Sequence, residues 1–199
     1  MTAQKNNDSL ERIAAEVRGC PLCKLARTRK NAVPGEGQLA AKIMFIGEAP
    51  GRSEDEKGRP FVGAAGRILD DLLKKAGIER SQVFITNIVK CRPPNNRAPE
   101  EDEMAACKPY LDRQTALIKP TVICILGRTA YSSLLGGSSI TANRGKIVKR
   151  AGQKYFLTFH PAATIYNKNL RSALEADLKK LAIEINKEEE SKVSLEDYS

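Results

Sequence analysis

The chain has 199 residues and carries 33 Lys and Arg against 24 Asp and Glu, a net charge of +9. That length suffices for one domain with a sizeable core, and the basic excess favours a polyanionic partner such as nucleic acid. A single His excludes a multi-histidine metal centre, no apolar run nears the ~20 residues that cross a bilayer, and the polar stretch Met1 to Asp8 lacks the apolar core of a signal peptide. A soluble, cytoplasmic protein is the expectation.

Asp8 or Ser9 is placed to cap a first helix that carries Leu10, Ile13, Ala14 and Val17 and ends at Gly19. Cys20-Pro21-Leu22-Cys23 follows as a C-x-x-C knuckle, then the basic Lys24, Arg27, Arg29 and Lys30, and a loop over Val33–Gly37. The apolar run Ile43–Ile46 reads as a first buried strand. Gly47-Glu48-Ala49-Pro50-Gly51 is a tight turn carrying a carboxylate. Arg52 to Pro60 reads as a charged loop leading into Gly58-Arg59-Pro60-Phe61-Val62-Gly63, an aromatic framed by loop-forming residues. A helix over Ala64–Ala76 places Ile68, Leu69, Leu72 and Leu73 on one face and stops at Gly77.

Val83–Val89 is the second strand, interrupted by Thr86-Asn87. An Asn near the end of a buried strand needs partners for its amide, from the backbone or from a ligand. The basic loop Lys90 to Pro99 precedes a helix whose first turn holds Glu100, Glu101 and Asp102, acids suited to a helix N-terminus. Thr121–Leu126 is the third strand, followed by a short helix through Tyr131 and Leu135. The basic stretch Asn143 to Lys154 reads as a hairpin or loop. Tyr155–Phe159 is the fourth strand and runs into His160-Pro161-Ala162-Ala163. A last amphipathic helix spans about Leu170 to Ile185, so residues 1–187 form one domain, and 188–199 read as a polar, disordered tail.

Four strands alternating with helices predict an α/β fold, a parallel sheet with helices on both faces. In such a sheet the carboxyl ends of the strands share one edge, where ligands bind. Glu48, Asn87 and His160 all follow strand ends, so the three should converge there.

Five cysteines, an odd number, argue against a disulfide framework. Cys124 lies inside an apolar strand and reads as a small buried hydrophobe. Cys20, Cys23, Cys91 and Cys107 fall in loops or on a polar helix flank. Four thiolates suit zinc or an iron–sulfur cluster, and spacing alone leaves both open, as it leaves unligated thiols. A cluster at Cys91 would brace the Arg92–Arg97 loop beside Asn87.

The motifs Gly47–Gly51, Gly58–Gly63, Thr86–Pro94 and His160–Ala163, together with the four cysteines, resemble those of the family four, iron–sulfur uracil-DNA glycosylases of bacteria and archaea. The resemblance runs from about Cys20 to Leu181. It implies a three-layer α/β/α sandwich around a central four-stranded parallel sheet. It also implies a [4Fe-4S] cluster on Cys20, Cys23, Cys91 and Cys107, and hydrolysis of the uracil N-glycosidic bond without strand cleavage. Carried over motif by motif, Glu48, Ala49 and Pro50 line the uracil and water site, Phe61 stacks on the base, Asn87 reads its polar edge, and His160 contacts O2.

Chemistry requires such groups. A base stacked in a duplex must be extruded to be cut. An amide can donate to uracil O4 and accept from N3–H, a pattern that cytosine inverts. A donor at O2 stabilises the departing anion. Ala49 stands where family one enzymes carry an aspartate, which leaves Glu48 to position the water, with Glu54, Asp55 and Glu56 as weaker candidates. Arg92–Arg97, Asn143–Arg150, Lys168 and Arg171 are candidate phosphate contacts, and Ile165 or Tyr166 a candidate wedge into the duplex. The expected partner is uracil-containing DNA, single- or double-stranded, met by a monomer in the nucleoid. A replication clamp is a further candidate partner of the tail, although no clamp motif is present. The rival readings are a covalently trapping or non-catalytic uracil-DNA binder, and a zinc-stabilised nucleic-acid module. Trapping relatives use a second histidine in an insertion, and this chain has neither.

Overall fold

A computed structural model describes residues 8–196, with side chains described as far as residue 187. Ser9 caps α1 (Leu10–Gly19) by accepting from the Arg12 N–H. β1 (Glu36–Gly37) and β2 (Ile43–Gly47) follow, then α2 (Arg52–Lys57), α3 (Ala64–Lys75) and β3 (Phe84–Asn87). α4 (Glu101–Ile118) leads to β4 (Val122–Leu126), α5 (Arg128–Leu135) and α6 (Ile140–Asn143). β5 (Ile147–Arg150), β6 (Gln153–Thr158), α7 (Ala163–Tyr166) and α8 (Leu170–Glu196) complete the order.

The sheet order is β1-β3-β2-β4-β6-β5. Its four inner strands are parallel, and the two edge strands are antiparallel to their neighbours. Alternation along the inner strands sends side chains to two cores. Met44, Ile46, Ile123 and Ile125 meet Ile13 and Val17 of α1 and Leu111 of α4 on one face. Phe45, Ile85, Val122, Cys124 and Phe156 meet Leu69, Leu72 and Leu73 of α3 and Leu174, Leu178 and Leu181 of α8 on the other. This is the three-layer α/β/α arrangement, with six strands in place of the expected four.

Two boundaries differ from expectation, and one open reading is decided. Residues 52–57 form a helix and not a loop, because the buried carboxylate of Glu54 returns to the Gly51 N–H and caps it. Asn143 to Lys154 resolves as a hairpin, with Ala151 and Gly152 both at positive φ, the two-residue turn that matches strand twist. α8 continues past Ile185 to Glu196, through most of the segment expected as a disordered tail. Residues 197–199, and any clamp contact they would make, lie outside the described residues. No helix among the described residues is long and apolar enough to cross a membrane.

Candidate functional site

β2 and β3 end side by side, with Gly47 opposite Asn87 in the parallel register. The ladder continues past the strand ends, where Ile88 and Val89 donate to the carbonyls of Gly47 and Glu48. This pins the Glu48 turn to the Asn87 strand. A Cβ on Gly47 would collide with Asn87 Oδ1 and lie 2.8 Å from Phe61 Cζ, so glycine lets the amide and the ring close over the strand end.

Phe61 is buried and its backbone is left-handed, with φ of 49°. Its carbonyl sits so close to Gly66 in α3 that any Cβ there would overlap it. Glu54 fixes the same loop from the other side: Oε1 accepts from Val62 N at 2.9 Å and Gly63 N at 2.8 Å. The Phe61 ring faces His160, with centroids 5.5 Å apart and planes inclined by 31°.

Asn87 is 1% exposed. Its Oδ1 is the one buried side-chain oxygen or nitrogen among the described residues without a hydrogen-bond partner. A buried acceptor left unsatisfied costs ~1–3 kcal/mol, and native structures rarely tolerate it without a ligand or water to supply the donor.

His160 Nδ1 accepts from the Ala162 N–H at 3.1 Å. That bond puts the proton of the neutral ring on Nε2. Desolvation pushes the imidazole pKa down to about 4, against a smaller opposing pull from Glu54, so the ring is neutral near pH 7. His160 thus offers an Nε2–H donor without a full charge.

Glu48 is partly buried and makes no side-chain hydrogen bond or ion pair among the described residues. The weaker carboxylate candidates are committed elsewhere. Glu54 holds the Phe61 loop, Asp55 accepts from the Lys30 and Asn31 N–H groups, and Glu56 pairs with Arg52. Ala49 and Pro50 form the rest of the turn, with Pro50 buried.

Cys20, Cys23, Cys91 and Cys107 line one small cavity between α1, α4 and the start of the Lys90–Pro99 loop. Two N–H groups already aim at its sulfurs: Arg29 Nη1 donates to Cys91 Sγ at 3.0 Å and Lys90 N to Cys107 Sγ at 3.2 Å. Burial pushes the Cys107 thiol up to about 11 and raises Cys91 as well, against smaller opposing pulls from Lys90 and Arg29. No three His, Cys, Asp or Glu among the described residues are spaced for a single metal ion. The four sulfurs are gathered on that one cavity, and thiolates in such a set are the donors that zinc or an iron–sulfur cluster takes. Cys124 is apart from the set, fully buried in β4.

Of the candidate phosphate contacts, several are taken. Arg97 forms a bidentate pair with the buried Glu103, Arg144 with the buried Asp177, and Arg171 bonds Asp71. Lys149 and Lys168 remain exposed without side-chain partners among the described residues. Ile165 and Tyr166 project from the short helix after His160, and Tyr166 is 90% exposed. Sequence reasoning missed Lys90 altogether. It is 1% exposed, although it opens a stretch that reads as a basic loop.

A flat ring to stack on, an amide with an open acceptor and a neutral N–H donor, gathered at the carboxyl edge of a parallel α/β sheet, describe a nucleobase-binding domain. The model of the uracil DNA glycosylase superfamily matches residues 34–183. A type-4 uracil-DNA glycosylase of Sulfurisphaera tokodaii is 54% identical over 186 residues, spanning 87% of this chain and 84% of that protein. Another from Saccharolobus solfataricus is 52% identical, over 87% of this chain and 85% of its own length. A type-4 protein of Thermotoga maritima is 45% identical, over 90% of this chain and 96% of its own. The chain belongs to the uracil-DNA glycosylase superfamily and, within it, to the type-4 proteins.

Proposed function

We propose that this chain removes uracil from DNA by hydrolysing the N-glycosidic bond, leaving an abasic site. The observation that carries the reading is the open acceptor at Asn87 Oδ1. Uracil N3–H supplies the donor it lacks, while cytosine presents an acceptor at N3 and leaves the clash unrelieved. The extruded base stacks on Phe61, which recovers ~1–3 kcal/mol of the stacking lost from the duplex.

Cleavage leaves a sugar of oxocarbenium character and a uracil anion. His160 Nε2–H donates to O2 as negative charge collects there, and Glu48 holds the attacking water at C1′. A neutral donor fits this role, because it stabilises charge on the leaving group without having to give up a proton.

Cys20, Cys23, Cys91 and Cys107 hold a [4Fe-4S] cluster, which supplies a rigid tie between α1, α4 and the loop after Asn87. The thiolates of such a site gain from the Arg29 and Lys90 donors. We further take the chain to act as a cytoplasmic monomer on DNA.

Incubation with uracil-containing oligonucleotides, as U:G, U:A and single strands, tests the reading. Free uracil released over many turnovers supports it. A stable protein–DNA adduct without turnover, the behaviour of a trapping binder, contradicts it.

A further inference from the structure

We propose that Lys90 is a positioning residue that holds Asn87 from behind and ties it to the cysteine-lined cavity. The inference rests on reading Asn87 as the group that recognises uracil. Lys90 follows Asn87 by three residues, yet its side chain turns back into the protein. Its Nζ donates to the Asn87 carbonyl at 2.8 Å, Thr86 Oγ1 at 2.5 Å and Gln114 Oε1 at 2.8 Å. Three donors meet three acceptors, so the ammonium is saturated.

The acceptors are themselves anchored. Gln114 Nε2 donates to the Pro34 carbonyl at 2.7 Å, and Thr86 Oγ1 donates to the same oxygen at 3.1 Å. One knot therefore joins β3, α4 and the approach to β1. The backbone of Lys90 is used as well: its N–H bonds Cys107 Sγ at 3.2 Å, and its carbonyl accepts from Val33 N at 2.7 Å.

The consequence falls on Asn87. With its carbonyl held by Lys90 and its strand paired to Gly47, the residue has little backbone freedom, and Oδ1 stays open for a ligand. A recognition group needs such support, since its partner is present only when a base is bound. A chemical role for the amine itself does not fit, because Nζ is enclosed and all its hydrogens are engaged.

The test compares wild-type protein with Lys90→Met and Gln114→Met, both of similar volume and neither able to complete the knot. Affinity for free uracil, kcat on a uracil oligonucleotide, affinity for undamaged DNA and iron content are measured for each. Lys90→Met should lower free-uracil affinity and kcat, by up to about 10²-fold, while undamaged-DNA affinity and iron content hold. Gln114→Met should move the same way by less. Uracil affinity and kcat within about twofold of wild type in both variants overturn the proposal. So does an equal fall in uracil and undamaged-DNA affinity, which marks a merely structural residue. If Lys90→Met does not fold, Gln114→Met decides by the same readings. Free-uracil binding is read apart from excision, so a wild-type protein that binds uracil without releasing it from DNA refutes the proposed function and leaves the Lys90 comparison valid.

Discussion

Phe61 and His160 stand as an inclined aromatic pair, 5.5 Å between centroids, although 98 positions of sequence separate them. The separation lies within the range of favourable aromatic pairs. Phenyl ring and imidazole thus come as one unit, held below by the Gly66 helix and behind by Glu54.

Phe61→Ala should weaken base engagement by ~1–3 kcal/mol, the worth of one stacked base. The loss belongs in binding of uracil-containing DNA relative to undamaged DNA. Unchanged kinetics on a uracil oligonucleotide would refute stacking.

His160→Ala should slow cleavage by ~10²–10³ with far less effect on DNA binding, as removal of an oxyanion donor does. The wild-type rate should show no inflection near 6.5, because the folded ring titrates at about 4. The sign for stability follows. Between those values the unfolded chain binds the proton and the folded chain does not, so this residue's contribution is full above 6.5 and is lost as pH falls towards 4. Nitrogen NMR of the imidazole at pH 7 should report the neutral Nε2–H form.

Cys91→Ala and Cys107→Ala should strip iron and the broad absorbance near ~400 nm expected of iron thiolates. Cys124→Ala should leave both intact, since that thiol lies in the β4 core and not on the cavity. Colourless protein with stoichiometric zinc would count against the cluster.

Arg97→Ala should destabilise the fold, since it removes the bidentate partner of the buried Glu103 carboxylate and leaves it the Glu100 N–H and a longer contact to Lys24. Solvent screening at the partly exposed Arg97 makes the loss smaller than that of a fully buried pair. Denaturant unfolding measures it. A variant of wild-type stability with weakened DNA binding would restore Arg97 to the phosphate contacts.

The centre of the molecule was legible because burial writes itself into composition. Ile43–Ile46 and Val122–Leu126 are unbroken apolar runs, and a parallel sheet sends their ends to one edge. The convergence of Glu48, Asn87 and His160 followed from that alone. The edges were legible only in part, the Asn143–Lys154 stretch reading equally as hairpin or loop. β1 has two residues, Glu36 and Gly37, and exists only because β3 offers it a partner. The β5–β6 turn places Ala151 at positive φ, without the Asn or Asp that would announce it. α2 is polar throughout and is held by two of its own carboxylates, Glu54 and Asp55, which accept from distant loops. Lys90 is the sharpest case: a lysine in a basic loop reads as solvent-facing, and only long-range acceptors such as Gln114 make its burial possible.

The most direct test of the account is the base preference of Asn87→Asp. A protonated carboxyl can donate where the amide accepts, which suits cytosine. The account predicts cytosine release that wild-type protein does not show, together with slower uracil release. Uracil release at the wild-type rate, with no cytosine release, would contradict the claim that Asn87 reads the base.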